Sequence, residues 1–329
     1  GFPMIETLVD LFGQTQQWLF ETAVQPVVFA LGGGSILEDA YTATGWLLVG
    51  LLQIAVLVGV IGPLERWRPV QAIRDRAAVR VDVLYTLIHQ LGLFRVGMFF
   101  AFDPLWNDLW GWLSVRGLTG LQLDQLIAPW WPGVTDTALA AFVLYLVVFD
   151  FVNYLLHRAQ HQFDWWWALH AVHHSQRDMT MWTDRRNHLL DSVITDIVIA
   201  HVGHLIGVPP GQFVAATAFA LLVENFSHAN VRLSFGALGE RLLVSPRFHR
   251  LHHAIGLGHE SQAGKGTLGG CNFSVLLPVW DLLFGTADLR SPVGPTGIRD
   301  QLPEEGGRDY GAGFWAQQRL GLLRLIGRA

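Results

Sequence analysis

The sequence predicts an all-α integral membrane protein, a helical bundle in the bilayer with a cytoplasmic histidine-rich helical cap. Three observations lead to this prediction. Hydrophobic residues make up 51% of the 329 residues and charged residues only 15%, a balance typical of membrane proteins. The apolar residues fall in long, nearly uncharged runs separated by polar stretches. All 14 histidines except His89 lie between residues 157 and 259, so one region of the chain is enriched in potential metal ligands.

The chain divides into four predicted segments. They are an N-terminal interfacial segment (1–43), transmembrane helices (44–156), a histidine-rich region (157–300) with a membrane helical hairpin at 193–226, and an amphipathic tail (301–329). We interpret Gly1 to Pro3, which precede Met4, as a vector-derived remnant, and we expect no cleaved signal peptide. The net charge of -5 gives no reason to expect a nucleic-acid partner. The single cysteine, Cys271, excludes an intrachain disulfide and a cysteine-based zinc site.

The N-terminal segment has apolar residues at helical spacing but too many polar residues for a membrane span. We therefore expect it to lie along the bilayer or to pack on the bundle. Three spans follow, at Thr44–Ile61, Val83–Phe102 and Thr137–Leu156. The arginine-rich loop at 65–80 is predicted to be cytoplasmic, and the tryptophan-rich stretch at 103–136 to form an aromatic belt on the other side. The third span then returns the chain to the cytoplasmic face.

Ionisable side chains within the spans need partners, because charge in lipid is costly. His89 and Arg95 must face protein or water, and we expect His89 to be a hydrogen-bonded core residue and not a ligand. Asp150 precedes His157 by two helical turns on the same side. Two interpretations of Asp150 are open: it orients a ligating imidazole through the second ring nitrogen, or it forms a salt bridge with an arginine.

In the predicted hairpin, Pro209, Pro210 and Gly211 enforce a turn between two apolar arms, and this keeps His228 on the face of the earlier histidines. We expect His201 and His204, in the first arm, to be packed and hydrogen-bonded; a substrate tunnel is the alternative. After the last histidine cluster comes a glycine-rich loop at 254–270. There, His259 and Glu260 are expected to touch the site only transiently.

Histidines three or four residues apart on a helix share one face, as do His157 with His161 and His170 with His173 and His174. Neutral imidazole favours iron, copper, nickel or zinc. Two such metals would take up about eight to twelve ligands, which this chain can supply. The candidate ligands are His157, His161, His170, His173, His174, His228, His249, His252 and His253.

The segments HRAQH, LHAVHHS, SHANVRL and SPRFHRLHH, in that order, resemble the histidine boxes of the fatty acid hydroxylase and sterol desaturase superfamily. The stretch GGCNFSVLLPVWDLLFGT at 269–286 resembles the family's ending after the last box, and the likeness covers residues 60–287. It implies a membrane-bound di-iron oxygenase, with two Fe ions or zinc in the isolated protein. It also implies O2, a membrane lipid substrate, and the cytoplasmic face of a bacterial inner membrane.

No flavin or haem motif is present, so electrons are expected from an external ferredoxin or cytochrome-type donor with its reductase. The resemblance adds His188 as a tenth candidate ligand, because many bacterial members have Arg-x-His-Pro there; here Leu189 follows. Some members carry a histidine at the position of Glu224. That residue is therefore a candidate ligand or a candidate acceptor for one, and a plain buried acid is the alternative.

Within this family, hydroxylation and desaturation of a lipid remain open. A metal transporter is an alternative of another class, but it predicts histidines inside the spans, whereas most lie at helix ends. No His-Glu-x-x-His motif is present, so a zinc protease of that type is not supported. The tail from Phe314 to Arg328 is an amphipathic basic helix, suited to the membrane surface or to packing on the cap.

Overall fold

The computed structural model of the protein describes residues 3–291 and 294–329, and all regular secondary structure in these ranges is helical. The prediction of an all-α fold is confirmed. The interpretation of Gly1 and Phe2 lies outside the described residues. The helices are α1 (Pro3–Leu19), α2 (Gln25–Ala30), α3 (Leu37–Val56), α4 (Gly62–Trp67), α5 (Arg76–Gln90), α6 (Leu93–Ala101), α7 (Asp103–Val115), α8 (Leu123–Ile127), α9 (Ala138–Gln162), α10 (Asp164–His174), α11 (Leu189–Ile206), α12 (Pro210–Ser227), α13 (Gly236–Leu242), α14 (Pro246–His252), α15 (Val279–Leu283) and α16 (Phe314–Leu325).

Within the described ranges, three helical stretches are long and apolar enough to cross a membrane. They are Gly34–Trp67, which joins α3 and α4 through a π-helical turn, Ala138–Gln162 and Leu189–Ile206. Their mean hydropathies are 2.5, 2.1 and 1.6. The first contains the predicted first span, and the second contains the predicted third span except for Thr137. The third contains most of the first arm of the predicted hairpin, and α12 follows it as the second arm.

The predicted second span, Val83–Phe102, falls on two helices with a bend between them. Helix α5 begins earlier, at Arg76, where the Asp75 side chain accepts a hydrogen bond from the Ala78 backbone N–H. It ends at Gln90, and α6 continues at an angle of 51°. Gly92 lies between them with φ +85°, a conformation that glycine adopts at little cost, so the chain bends here. The two helices together meet the length and composition of one further span.

The N-terminal helix packs on the bundle, along α3. The Gln16 side chain donates a hydrogen bond of 3.0 Å to the Tyr41 carbonyl, and the Phe20 and Tyr41 rings meet edge to face. The opposite side remains exposed, with Leu8 and Trp18 57% and 62% accessible. An apolar outer face on a helix that packs against a candidate span is typical of contact with lipid.

The hairpin of α11 and α12 turns at Gly207, which has φ +69°. His201 donates its Nδ1 hydrogen to the Ile197 carbonyl at 2.8 Å, and its ring meets Trp106 of α7 edge to face. His204 stacks on Trp110 with ring centroids 3.9 Å apart. Both histidines are therefore packing residues of the α7–α11 contact.

The tail helix α16 packs on α10 of the histidine-rich cap. Arg324 donates a hydrogen bond of 3.0 Å from Nε to the Ala168 carbonyl, and Phe314, Gln317 and Gln318 are buried. Gly321 faces His188 so closely that a Cβ added there would lie 2.3 Å from the imidazole Cδ2. The tail helix therefore forms a wall of the cap.

This close approach predicts that Gly321→Ala destabilises the cap, although alanine is the better helix former. The added Cβ must push His188 and α16 apart, at a cost of about 1 to 3 kcal/mol. Gly313→Ala is the control, since a Cβ at Gly313 meets nothing within 4 Å. Thermal unfolding in detergent should show a lower midpoint for Gly321→Ala than for Gly313→Ala; equal midpoints would contradict the tight contact.

Candidate metal centre

Nine histidines converge at the cytoplasmic end predicted for the bundle. They come from the last turns of α9, from α10, from the residue that follows α12, and from α14 with the residue after it. Each is between 0% and 8% exposed. The helical spacing that the sequence shows accounts for the convergence within each helix, and the packing of the helices brings the sets together. The nine are His157, His161, His170, His173, His174, His228, His249, His252 and His253.

Two separate sets of four have one ring nitrogen per residue within 4.8 Å of the others. The first set is His157, His161, His170 and His174, and the second is His173, His228, His249 and His253. His252 lies between them: it forms a third set with His174 and His253, and its ring centroid is 4.5 Å from His157 and 4.6 Å from His161. This arrangement is suited to two neighbouring metal ions.

In five of these histidines, Nδ1 points away from the other imidazoles and contacts an oxygen acceptor. We call this atom the outer nitrogen and Nε2 the inner nitrogen. Because carbonyl oxygens cannot donate, a hydrogen bond to one places the hydrogen on Nδ1 and leaves a lone pair on Nε2. The hydrogen positions follow from this network. The Nδ1 contacts are His157 to Phe273 O (2.7 Å), His170 to Asp191 Oδ2 (3.1 Å), His173 to Arg186 O (3.2 Å), His228 to Glu224 O (2.7 Å) and His252 to Cys271 O (2.7 Å).

The inner nitrogens fit a cation better than they fit each other. His173 Nε2 and His228 Nε2 lie 3.1 Å apart, and in both neutral rings this atom carries a lone pair. Two lone pairs at this distance repel unless a positive charge lies between or beside them. Metal–nitrogen bonds of about 2.0–2.1 Å bring neighbouring ligand nitrogens about 3 Å apart, so the spacing suits coordination. His249 Nε2 likewise lies 2.9 Å from His228 Nε2.

Unpartnered nitrogens in the first set and in His252 support the same interpretation. Both ring nitrogens of His161 and of His174 are buried without a hydrogen-bond partner among the described residues. The Nε2 atoms of His170 and His252 are also buried and unpartnered. An unsatisfied buried polar group costs about 1–3 kcal/mol, so this cluster of unsatisfied nitrogens indicates a ligand-binding site. The residues therefore fit two metal ions.

Burial keeps five of the cap histidines neutral. It lowers the pKa of His173, His174 and His249 well below the usual value, and repulsion from neighbouring imidazoles lowers each pKa further. The pKa values of His252 and His253 fall well below the usual value for the same reasons. Neutral imidazole is the form that binds a metal, so these ligands are available at neutral pH.

Asp150 does neither of the two things expected of it. Its carboxylate accepts hydrogen bonds from the Leu276 N–H (3.0 Å), the Leu277 N–H (3.0 Å) and Trp280 Nε1 (2.8 Å). It therefore anchors the segment after the last histidine cluster. That segment contains Phe273, whose carbonyl holds His157, so Asp150 acts on the ligand indirectly.

A carboxylate that does form a hydrogen bond with a candidate ligand is Asp191, which the sequence reasoning missed. Its two oxygens accept from His170 Nδ1 (3.1 Å), Gln160 Nε2 (2.8 Å) and Trp166 Nε1 (2.7 Å). The signal in the sequence is an aspartate at the first turn of an apolar helix close to a histidine box. Its partners come from α9 and α10, so only the fold identifies its role.

The structure does not bring His188 to the metal groups, which corrects its assignment as a candidate ligand. Its Nδ1 accepts a hydrogen bond from the Leu190 N–H at 3.1 Å and so caps α11, and its Nε2 donates to the Gln318 carbonyl at 2.9 Å. Both nitrogens are thus in use. Glu224 is also outside the two sets: its carbonyl holds His228, and its carboxyl group lies against that of Asp184.

The remaining flagged residues have defined positions. His259 is held by a hydrogen bond of 2.9 Å from Nε2 to the Gly297 carbonyl, and its ring is 5.2 Å from that of His174. Burial lowers its pKa to about 4. Glu260 forms a salt bridge with Arg299 at 2.5 Å. His89 lines the internal cavity beside the metal groups, and its Nε2 has no partner among the described residues, contrary to the hydrogen bond expected.

Comparison with known proteins agrees with the histidine geometry. Residues 142–286, which contain all nine converging histidines, match the model of the family described as fatty acid hydroxylase. This region is similar to the fatty acid hydroxylase family, and it makes up less than half of the chain. Together with the apolar helices and the histidine sets, the match supports a membrane-associated, metal-binding protein.

Among the proteins similar to this chain are two whose names state lipid oxygenation. The chain is 30% identical over 157 residues to an ornithine lipid hydroxylase of Rhizobium tropici, 47% of this chain and 44% of the relative. It is 30% identical over 211 residues to the human alkylglycerol monooxygenase, 63% and 41% of the two chains. A very-long-chain aldehyde decarbonylase of Oryza sativa is 28% identical over 50% of this chain and 25% of the relative. The chain thus spans less than half the length of these curated relatives. No solved structure matches it.

The two sets predict separable losses of metal. His161→Ala removes a nitrogen from the first set only, and His249→Ala from the second only. Each variant should retain about one metal ion per chain where the parent retains two, because the other set keeps all four of its histidines. Metal-to-protein ratios from plasma mass spectrometry test this.

His201→Ala is the control for the metal count, since His201 packs on Trp106 away from both sets. It should keep the parent metal content. Full metal content in both His161→Ala and His249→Ala would contradict the assignment of these histidines as ligands.

Proposed function

We propose that the protein is a membrane-bound di-iron oxygenase that hydroxylates a C–H bond of a lipid. The observation that supports this most is the pair of buried four-histidine sets, with inner lone pairs facing one another. The family of residues 142–286 and the lipid-acting relatives support the substrate class. The ligands we propose are the nine converging histidines, and we propose iron because of the family.

A cavity of about 350 Å³ connects the centre with the interior of the bundle. His157, His170, His173, His228 and His249 form its metal end. Its walls come from α3, the α5–α6 bend, α9, α11 and α12. A lipid that enters this cavity from the bilayer would have a reacting carbon beside the histidines and would exclude water from it.

When bound, the metal pair would supply O2 activation: one oxygen atom enters the C–H bond, and the other leaves as water with two electrons and two protons. The protein holds the imidazoles neutral and oriented through their outer nitrogens. Asp191, Phe273 O and Arg186 O fix three of them in place. Electrons come from an external one-electron carrier, a ferredoxin or cytochrome with its reductase. We place the centre on the cytoplasmic side of a bacterial inner membrane, next to the arginine-rich loop at 65–80.

This proposal predicts a lipid change that depends on the histidines. In a host that produces the protein with its electron donors, the wild type should generate a lipid heavier by one oxygen atom, and His173→Ala should not. His201→Ala, with its packing role, should still produce the lipid. Untargeted lipid mass spectrometry with protein amounts matched by immunoblot measures this. An oxygenated lipid that persists in His173→Ala would contradict the proposal, and a loss of two hydrogens would indicate desaturation.

A further inference from the structure

The cavity beside the metal groups is unevenly polar along its length. Its lining on α9 runs from Leu146 to Gln160, which corresponds to about 20 Å of helix. The half away from the metals is lined mainly by Leu146, Phe149, Phe213 and Ala216. Arg95 and Asp196, which lie near each other, also line the cavity. The half next to the metals is lined instead by charged and amide side chains. A ligand that matches both halves is an amphiphile.

Three ionisable side chains meet at the metal end. Asp184 is 7% exposed, and its Oδ1 lies 3.6 Å from His228 Nδ1. The Arg185 Nε lies 3.6 Å from Asp184 Oδ2, too far for a hydrogen bond. The carboxyl group of Glu224 lies against that of Asp184. All three residues line the cavity.

Two of these three groups have a buried polar atom without a hydrogen bond. Asp184 Oδ2 and Arg185 Nε are both buried without a hydrogen-bond partner among the described residues. A buried, unsatisfied charged group costs more than the roughly 1–3 kcal/mol of a neutral one, so the fold keeps them at the site at a penalty. A ligand with a donor for the Asp184 carboxylate and an acceptor for the Arg185 guanidinium would supply the hydrogen bonds that their 3.6 Å ion pair does not. A hydrocarbon chain end would leave both atoms without a hydrogen bond.

We propose that the substrate binds with its polar head group at the metal end, between Asp184, Arg185 and Glu224, and with its hydrocarbon chain along Leu146 and Phe213. The head group carries hydroxyl or amine donors next to an oxygen acceptor. This inference rests on the proposed lipid hydroxylation and specifies it: the oxygen enters the head group or the carbons next to it. Arg95 lies at the other end of the cavity, where it is exposed and its guanidinium lies over the Trp46 ring at 4.5 Å. A hydrocarbon chain bound at that end would therefore not bury the Arg95 charge without a partner.

Binding of short amphiphiles to the zinc-loaded protein tests the inference without turnover. The probes are 1-O-dodecylglycerol and dodecylamine, with dodecane as the chain without a head group. Both polar probes should raise the thermal unfolding midpoint of the wild type and bind about tenfold more weakly to Asp184→Asn, which loses a charged acceptor. Asp108→Asn, an exposed aspartate on α7, is the matched control and should bind like the wild type.

Equal binding of both polar probes by the wild type and Asp184→Asn, at equal zinc content, would overturn the inference. The inference would also be overturned if dodecane raised the unfolding midpoint and neither polar probe did. In the lipid product, fragmentation should place the new oxygen in the head group or the first carbons of the chain. Oxygen near the methyl end would overturn the head-group placement and leave lipid hydroxylation intact, whereas no oxygenated lipid at all would remove both.

Discussion

The structure depends on the repulsion of imidazole lone pairs that are buried together. In the contact between His173 and His228, backbone carbonyls fix the hydrogens on the outer nitrogens, so the inner nitrogens face each other at 3.1 Å as acceptors. Water cannot relieve this, because both residues are at most 5% exposed. Metal ions do relieve it, and their binding free energy then contributes to folding. The cap is therefore expected to be most stable when loaded.

Buried carboxylates around the histidines bind either the backbone segments that contact the ligands or a ligand itself. Asp150 binds the segment that presents the Phe273 carbonyl to His157. Asp82 forms a buried ion pair of 2.9 Å with Arg186, whose carbonyl accepts from His173. Asp191 binds His170 directly. Such outer contacts orient ligands and tune their basicity, and removing one partner of a buried pair is costly. They link α5, α9, α11 and the cap into one support for the centre.

Much of this arrangement follows from the sequence, because local spacing determines which side chains share a helix face. The pairing of His157 with His161, and the clustering of His249 with His253, are consequences of helical geometry. The all-helical fold and the first and third spans follow from long apolar runs. The role of His188 could not be predicted, because its partner Gln318 lies 130 residues later in the chain, on α16. The bend at Gly92 and the contacts of Asp150 and Asp191 likewise depend on packing between distant segments.

Iron stoichiometry of the protein purified from iron-supplemented cells tests the central claim most directly. Two iron atoms per chain are the expected result, because two sets of four inner nitrogens lie side by side. One iron per chain would contradict a di-metal centre built from the nine histidines.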